Sequence, residues 1–292
     1  MGERLEVLKT YKIFIGGKFP RTESGRYYPL KVKDKTIANI CLCSRKDFRN
    51  AVVAARGAQA VWAERAAFNR SQIIYRMAEI LEGRKVQFVE ELMIQGVTKV
   101  SAEKEVYASI DRLVYYAGWC DKYQQVFSSV NPVASAHFNF SAYEPQGVVS
   151  AVAPENSGLL GLVSLIAPII AGGNTIVILA SEKVPLCAVS LSEVINTSDV
   201  PGGVINILTG NESELISHMA THMDVNAVAY GSDNEESIKV LEENASLNMK
   251  RIAIYDDKKL KTEESPYMLL DFQEVKTTWH PVEQIGGASA KY

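Results

Sequence analysis

Apolar positions change their period twice along this chain. Between Ser44 and Trp119 they recur three or four residues apart, which predicts a run of helices. The first starts at Ser44, an N-cap with Asp47 three residues on, and runs through Trp62. The second spans about Ala66 to Glu82, with Gly83 as its C-cap, and two more cover Val86–Gly96 and Ser101–Trp119. Ahead of them, residues 11–19 read as two short strands around a Gly16-Gly17 turn. Ala136–Tyr143 alternates with period two, which predicts an exposed strand and one arm of a long hairpin. Beyond it the apolar runs become short and continuous. Strands are expected at Gly147–Val152, Thr175–Leu179, Val204–Leu208, Val225–Tyr230 and Arg251–Tyr255. The helices between them are Leu159–Ala171, Leu186–Asn196, Glu212–His222 and Asn234–Glu243. Strands apolar on both faces, alternating with helices, predict an α/β fold with a doubly wound parallel sheet. Tyr267–Phe272 and Val275–His280 read as further strands, and Gln284–Tyr292 as disordered.

Composition narrows the function classes. With 47% hydrophobic and 22% charged residues the chain is an ordinary globular protein. A net charge of −3 gives no electrostatic reason for nucleic acid or an anionic membrane surface as a partner. The longest apolar stretch, Leu159–Ala171, is too short to span a bilayer and is interrupted by Pro168. No signal peptide is read at Met1-Gly2-Glu3-Arg4, so the expected location is cytoplasmic. Four cysteines in a chain of this length form no disulfide framework; Cys41 and Cys43, two apart, share one face of a strand as packing residues. His218 and His222 are four apart on one helix, but Met219 stands where a zinc protease carries its glutamate, so no metal site is expected. Trp62, Tyr75, Tyr115, Tyr116 and Trp119 are read as helix-packing aromatics.

Several motifs, taken in order, carry a resemblance. They are Tyr115-Tyr116-Ala117-Gly118-Trp119-Cys120-Asp121-Lys122-Tyr123, Glu144-Pro145-Gln146-Gly147-Val148, Pro154-Glu155-Asn156, Gly173-Asn174, Glu182 with Pro185-Leu186, and Pro201-Gly202-Gly203-Val204-Ile205-Asn206 with Gly210. Their order and spacing resemble the cofactor-binding half of the aldehyde dehydrogenase superfamily, over residues 11–254. Ala167-Pro168, Gly173-Asn174 and the ending around Thr278-Trp279-His280-Pro281 resemble the non-catalytic second half of the double-length members. The resemblance implies a Rossmann-like cofactor domain without the catalytic domain. Its parts would be N-terminal strands and helices (1–123), an oligomerisation hairpin (124–146), the doubly wound core (147–259) and a closing segment (260–292).

The resemblance also assigns roles, several of them to substituted positions. Asn156 matches an oxyanion-hole amide, with Glu155 in place of tryptophan beside it; without a nucleophile it is expected to serve as a turn or cap residue. Glu182 matches the carboxylate that holds the adenosine ribose, but Leu179 stands where the family has lysine. Gly231-Ser232 matches the step leading to the helix that receives the pyrophosphate, and Asp233, Glu235 and Glu236 bring carboxylates there. The general-base position is Tyr255, and no cysteine follows Cys187 to act as nucleophile. The expectation is a pseudoenzyme with no tightly held cofactor, assembling with itself or with a full-length NAD(P)-dependent aldehyde dehydrogenase. The alternative is an NAD-binding protein of the same family with residual or partner-assisted aldehyde oxidation. In the family the hairpin adds its strand to a neighbouring subunit's sheet, so assembly is expected to use the hairpin and the 267–280 tail.

Overall fold

A computed structural model describes residues 7–282. Strands β1 (Thr10–Tyr11), β2 (Tyr27–Val32) and β3 (Lys35–Cys41) form a small sheet ordered β1-β3-β2. The expected Gly16-Gly17 turn is present, with Ile15 and Lys18 exchanging both backbone hydrogen bonds. Its flanks are isolated bridges instead of strands, because Phe14 leaves the turn to pair with Ile207 of the main sheet. Four helices follow in the order expected: α1 (Arg45–Glu64), α2 (Ala67–Gly83), α3 (Lys85–Ile94) and α4 (Lys99–Ala117), with a short α5 (Lys122–Phe127) after them. Ser44 and Asp47 close a reciprocal capping box at the start of α1. Gly83 is the last residue of α2 and Arg84 the C-cap, a correction of one position. Trp62 and Tyr116 are fully buried, whereas Tyr75 is exposed.

The remaining elements build two sheets. In chain order they are β4 (Ser129–Asn131), β5 (His137–Pro145), β6 (Val148–Val152), α6 (Leu160–Ala171), β7 (Thr175–Leu179), α7 (Leu186–Asn196), β8 (Ile205–Leu208), α8 (Glu212–Thr221), β9 (Ala227–Tyr230), α9 (Glu235–Ala245) and β10 (Arg251–Ile254). The main sheet is parallel throughout, ordered β10-β9-β6-β7-β8. Strands β6 to β9 are buried at every position, and α6 is buried along its whole length. This is the continuous apolar patterning of a covered sheet. Strand order reverses between β6 and β9, which opens a crevice at their carboxyl ends.

The last elements are α10 (Asp257–Thr262), α11 (Tyr267–Leu270) and β11 (Gln273–Pro281). The stretch from Tyr267, expected as a strand, is a short helix up to Leu270. Its buried residues Met268, Leu269 and Phe272 are spaced one and three apart, which a helical turn against α6 satisfies and an alternating strand does not. Gln284–Tyr292 lies outside the described residues. β11 pairs antiparallel with β5 along nine residues, from Gln273↔Pro145 to Pro281↔His137. The second sheet is therefore ordered β11-β5-β4, and the hairpin is the core of a three-stranded sheet.

One buried group between α3 and α7 has a consequence for stability. Glu91 is buried, and its Oε1 accepts from Ser190 Oγ at 2.6 Å and Gln87 Nε2 at 3.1 Å. Burial raises its pKa against the opposing pull of those hydrogen bonds, Lys9 and Arg84. The folded pKa thus lies above the unfolded one, so this contribution is complete below the unfolded value, about 4.3, and is lost as pH rises through the folded value. Glu91→Gln should therefore gain stability over wild type on going from about pH 4 to pH 7. Urea midpoints measured in parallel for both proteins test this, and a pH-independent difference would refute it.

Candidate functional site

The switch-point crevice has a volume of about 760 Å³ and is lined by the turn after β6, the β9–α9 loop and the start of α10. Glu155 and Asn156 lie on its first wall, Gly231 to Asn234 on its second, and Asp256 to Lys258 with Lys261 and Thr262 on its third. Asn156 is exposed in a turn and does not cap α6. That helix end is served by Glu105 of α4, whose Oε1 accepts from Ser157 Oγ at 2.8 Å and from the N–H groups of Leu159 and Leu160 at 2.8 and 3.1 Å. A carboxylate from the chain itself occupies the positive end of the α6 dipole.

Gly231 is held by packing. A Cβ there would lie 2.8 Å from Pro154 Cδ and 2.9 Å from the Val152 carbonyl oxygen. From Ser232 the chain reaches α9 through Asp233 and the N-cap Asn234, whose Oδ1 accepts from Ser237 N at 3.1 Å. Glu235 and Glu236 fill the first turn of the helix. Ser237 Oγ and Tyr230 Oη both donate to Glu212 Oε1, at 2.7 and 2.8 Å. Glu182 follows β7, and its carboxyl pKa is raised by burial and then by Glu155, Glu212 and Glu214, with Lys183 opposing. Glu182 thus sits among carboxylates and does not line the crevice, whereas Gly231, Ser232 and Asn156 are brought together in it.

A dinucleotide pyrophosphate needs free N–H donors at a helix end and a surround that is neutral or cationic. Here Asn234 takes an α9 donor, Glu105 takes those of α6, and Asp233, Glu235 and Glu236 add negative charge. The crevice end of α9 is thus acidic, with one of its first-turn donors taken by the chain itself.

Tyr255, expected to match the general-base position, and the cysteines are packed into the core. Tyr255 is buried and donates its phenol to Asp271 Oδ2 at 2.6 Å. Burial, reinforced by Asp271, pushes the phenol pKa far up, so Tyr255 is a hydrogen-bond donor to the closing segment and no base. All four cysteines are buried and form no disulfide. Burial pushes the Cys120 thiol up to about 12, and raises Cys41, Cys43 and Cys187 as well. His222 caps the end of α8, with Nδ1 accepting from Asp224 N at 3.2 Å and the ring against Phe48. Among the described residues no cluster of three or more His, Cys, Asp or Glu is arranged to hold a metal ion. None of their helices is long and apolar enough to cross a membrane.

Sequence reasoning missed the residue that fixes the closing segment. Arg112 of α4 is only 2% exposed, and its Nη1 donates to Ser164 Oγ at 2.7 Å and to the Leu260 carbonyl at 2.9 Å. Its Nε lies 3.6 Å from Glu264 Oε1. Tyr116 Oη donates to the Ser265 carbonyl at 3.0 Å, and Arg251 Nη1 to the carbonyls of Asp271 and Gln273 at 3.1 and 2.6 Å. The available signal was spacing: Glu105, Ser109, Arg112 and Tyr116 form a polar ridge at three- and four-residue steps beside the apolar face of α4.

Comparison with known proteins agrees with this architecture. The aldehyde dehydrogenase family model matches residues 23–255. A putative aldehyde dehydrogenase of Bacillus subtilis, DhaS, is 30% identical over 251 residues, covering 84% of this chain and 50% of that protein. Retinal dehydrogenase 2 of Gallus gallus is 32% identical over 254 residues, covering 85% and 48%. The mouse (Mus musculus) cytosolic 10-formyltetrahydrofolate dehydrogenase is 29% identical over 259 residues, covering 86% and 29%. In fold, the NAD⁺ complex of an aldehyde dehydrogenase from Bacillus cereus superposes with a TM-score of 0.80 at 24% identity, covering 85% and 51%. The chain thus spans about half the length, or less, of the relatives it matches. With the motifs, the doubly wound sheet and the family match over residues 23–255 in agreement, the chain belongs to the aldehyde dehydrogenase family.

Proposed function

We propose that this chain is a non-catalytic, aldehyde dehydrogenase-type subunit that acts by assembly. Its partner is a second copy or a full-length NAD(P)-dependent aldehyde dehydrogenase. The carrying observation is Tyr255: the base position is committed to Asp271 and sealed beneath the chain's own closing segment. The buried, protonated thiols leave this chain without a nucleophile, and the crevice electrostatics oppose the dinucleotide, so no tight cofactor is assigned. The assembly part draws support from the β11-β5-β4 sheet, where Val130, Phe138, Val275 and Trp279 are all exposed.

Native mass spectrometry of the protein from its own cells, paired with an NAD titration, tests both parts. A dimer or a stoichiometric complex with a full-length family member is expected, with NAD binding no tighter than about 1 mM. A lone monomer would defeat the assembly reading. Micromolar NAD affinity would overturn the cofactor reading and favour the alternative use of Glu182, Gly231 and Ser232.

A further inference from the structure

The free edge of β11 has a self-complementary sequence, and we infer that two copies of this chain pair antiparallel through it. The resulting sheet would be continuous across a two-fold axis at Thr277. This rests on the assembly reading and specifies its partner and register.

Backbone direction comes first. Gln146 N donates to the Phe272 carbonyl and Val282 N to the Ala136 carbonyl, both in the register that pairs β11 with β5. In an antiparallel ladder the N–H and C=O of one residue point to the same side and alternate along the strand. Even-numbered residues of β11 therefore face β5, and Val275, Thr277 and Trp279 present N–H and C=O outward. Two observations agree with that parity. The outward carbonyl of Gln273 is taken by Arg251, and Pro281, which has no N–H to present, falls on the outward set. The open stretch thus runs from Val275 to Trp279, bounded by Arg251 at one end and Pro281 at the other.

A second copy fits this edge in one register. Centring the axis on Thr277 sets Thr277 opposite its mate and Val275 opposite Trp279, so these outward residues exchange both backbone hydrogen bonds. On the other face Glu274 meets His280 and Lys276 meets Thr278. Threonine pairs, aromatic–β-branched pairs and acid–imidazole pairs each favour a cross-strand contact, and no like charges meet. Sliding the axis by one residue to Lys276 places two ammonium groups directly opposite. Val275 and Trp279 are each 57% exposed, and their mutual burial supplies the apolar contact. Such a two-fold contact closes on itself, which ends the exposure of the otherwise open edge from Val275 to Trp279.

Single-cysteine cross-linking reads the register, because the four native thiols are buried and silent. Residues in a hydrogen-bonded pair have Cα atoms about 5.5 Å apart, within disulfide reach. On mild oxidation, Thr277→Cys should form a covalent dimer on a non-reducing gel, and Lys276→Cys should not. Thr277→Pro, which removes an outward N–H that β5 does not use, should give a folded monomer by native mass and circular dichroism. Cross-linking through Lys276→Cys in preference to Thr277→Cys would overturn the register. A Thr277→Pro dimer would overturn the edge itself while leaving assembly intact. A wild-type monomer with no full-length partner would remove both this inference and the reading beneath it.

Discussion

Arg112→Ala should lower unfolding stability by about 2–4 kcal/mol, from the lost hydrogen bonds of a buried guanidinium and the cavity its side chain leaves. The guanidinium lies between α4, α6 and the closing segment, and it is the group that binds Ser164, Leu260 and Glu264 together. Truncation would leave a cavity and reduce the bonding of the Leu260 carbonyl to the 3.0 Å contact from Ser164 Oγ. The urea midpoint should fall, and proteolysis within residues 256–266 should accelerate. Arg112→Met should lose less, because an apolar chain of similar length fills the space and the partly exposed Glu264 can rehydrate. Equal stability of Arg112→Ala and wild type would show that the closing segment is held without Arg112, by its apolar residues and by the bonds from Tyr116, Arg251 and Tyr255.

Gly203→Ala should cost about 2–4 kcal/mol, combining a left-handed backbone with an overlap that no rotamer relieves. Gly203 has φ +99°, and a Cβ there would fall inside contact distance of the Ala54 carbonyl oxygen, a backbone atom of α1. The helix would have to move off the sheet edge. Thermal denaturation checks this directly, and an unchanged midpoint would mean that α1 is free to shift. Gly57→Ala is a suitable control: it lies on the same helix with open space where its Cβ would be.

Strands β6 to β9 and helix α6 were legible because they are buried on every face and read as continuous apolar runs, and period and length gave the bounds observed at β7 and α7. The small β1-β3-β2 sheet was not. Its strands mix Tyr, Lys, Pro and Thr at half-exposed positions, where β propensity reports local fit more than burial. The helical turn starting at Tyr267 was misread because a short apolar run does not reveal which period buries it. At the candidate site, motif residues were visible but their present use was not. Gly203 and Gly231 are required by close packing, and Tyr255 by its bond to Asp271. These side-chain partners are set by the tertiary fold. Tyr116 and the Ser265 carbonyl it bonds lie 149 residues apart, beyond any local pattern.

The β5–β11 ladder joins residues far apart in the order of synthesis. Ser141 and Thr277, whose hydroxyls meet across it, are separated by 136 positions. At about 5–20 residues per second, a ribosome needs on the order of ten seconds to travel that interval. Throughout it the hairpin is complete while the strand that covers it has yet to emerge. A nascent chain on a crowded polysome would therefore hold an unpaired β5 edge beside neighbours further along in translation, some already displaying β11. Exchange of that strand between chains would bury the same residues as correct closure, so fidelity here depends on the timing of translation as much as on the stability of the finished sheet.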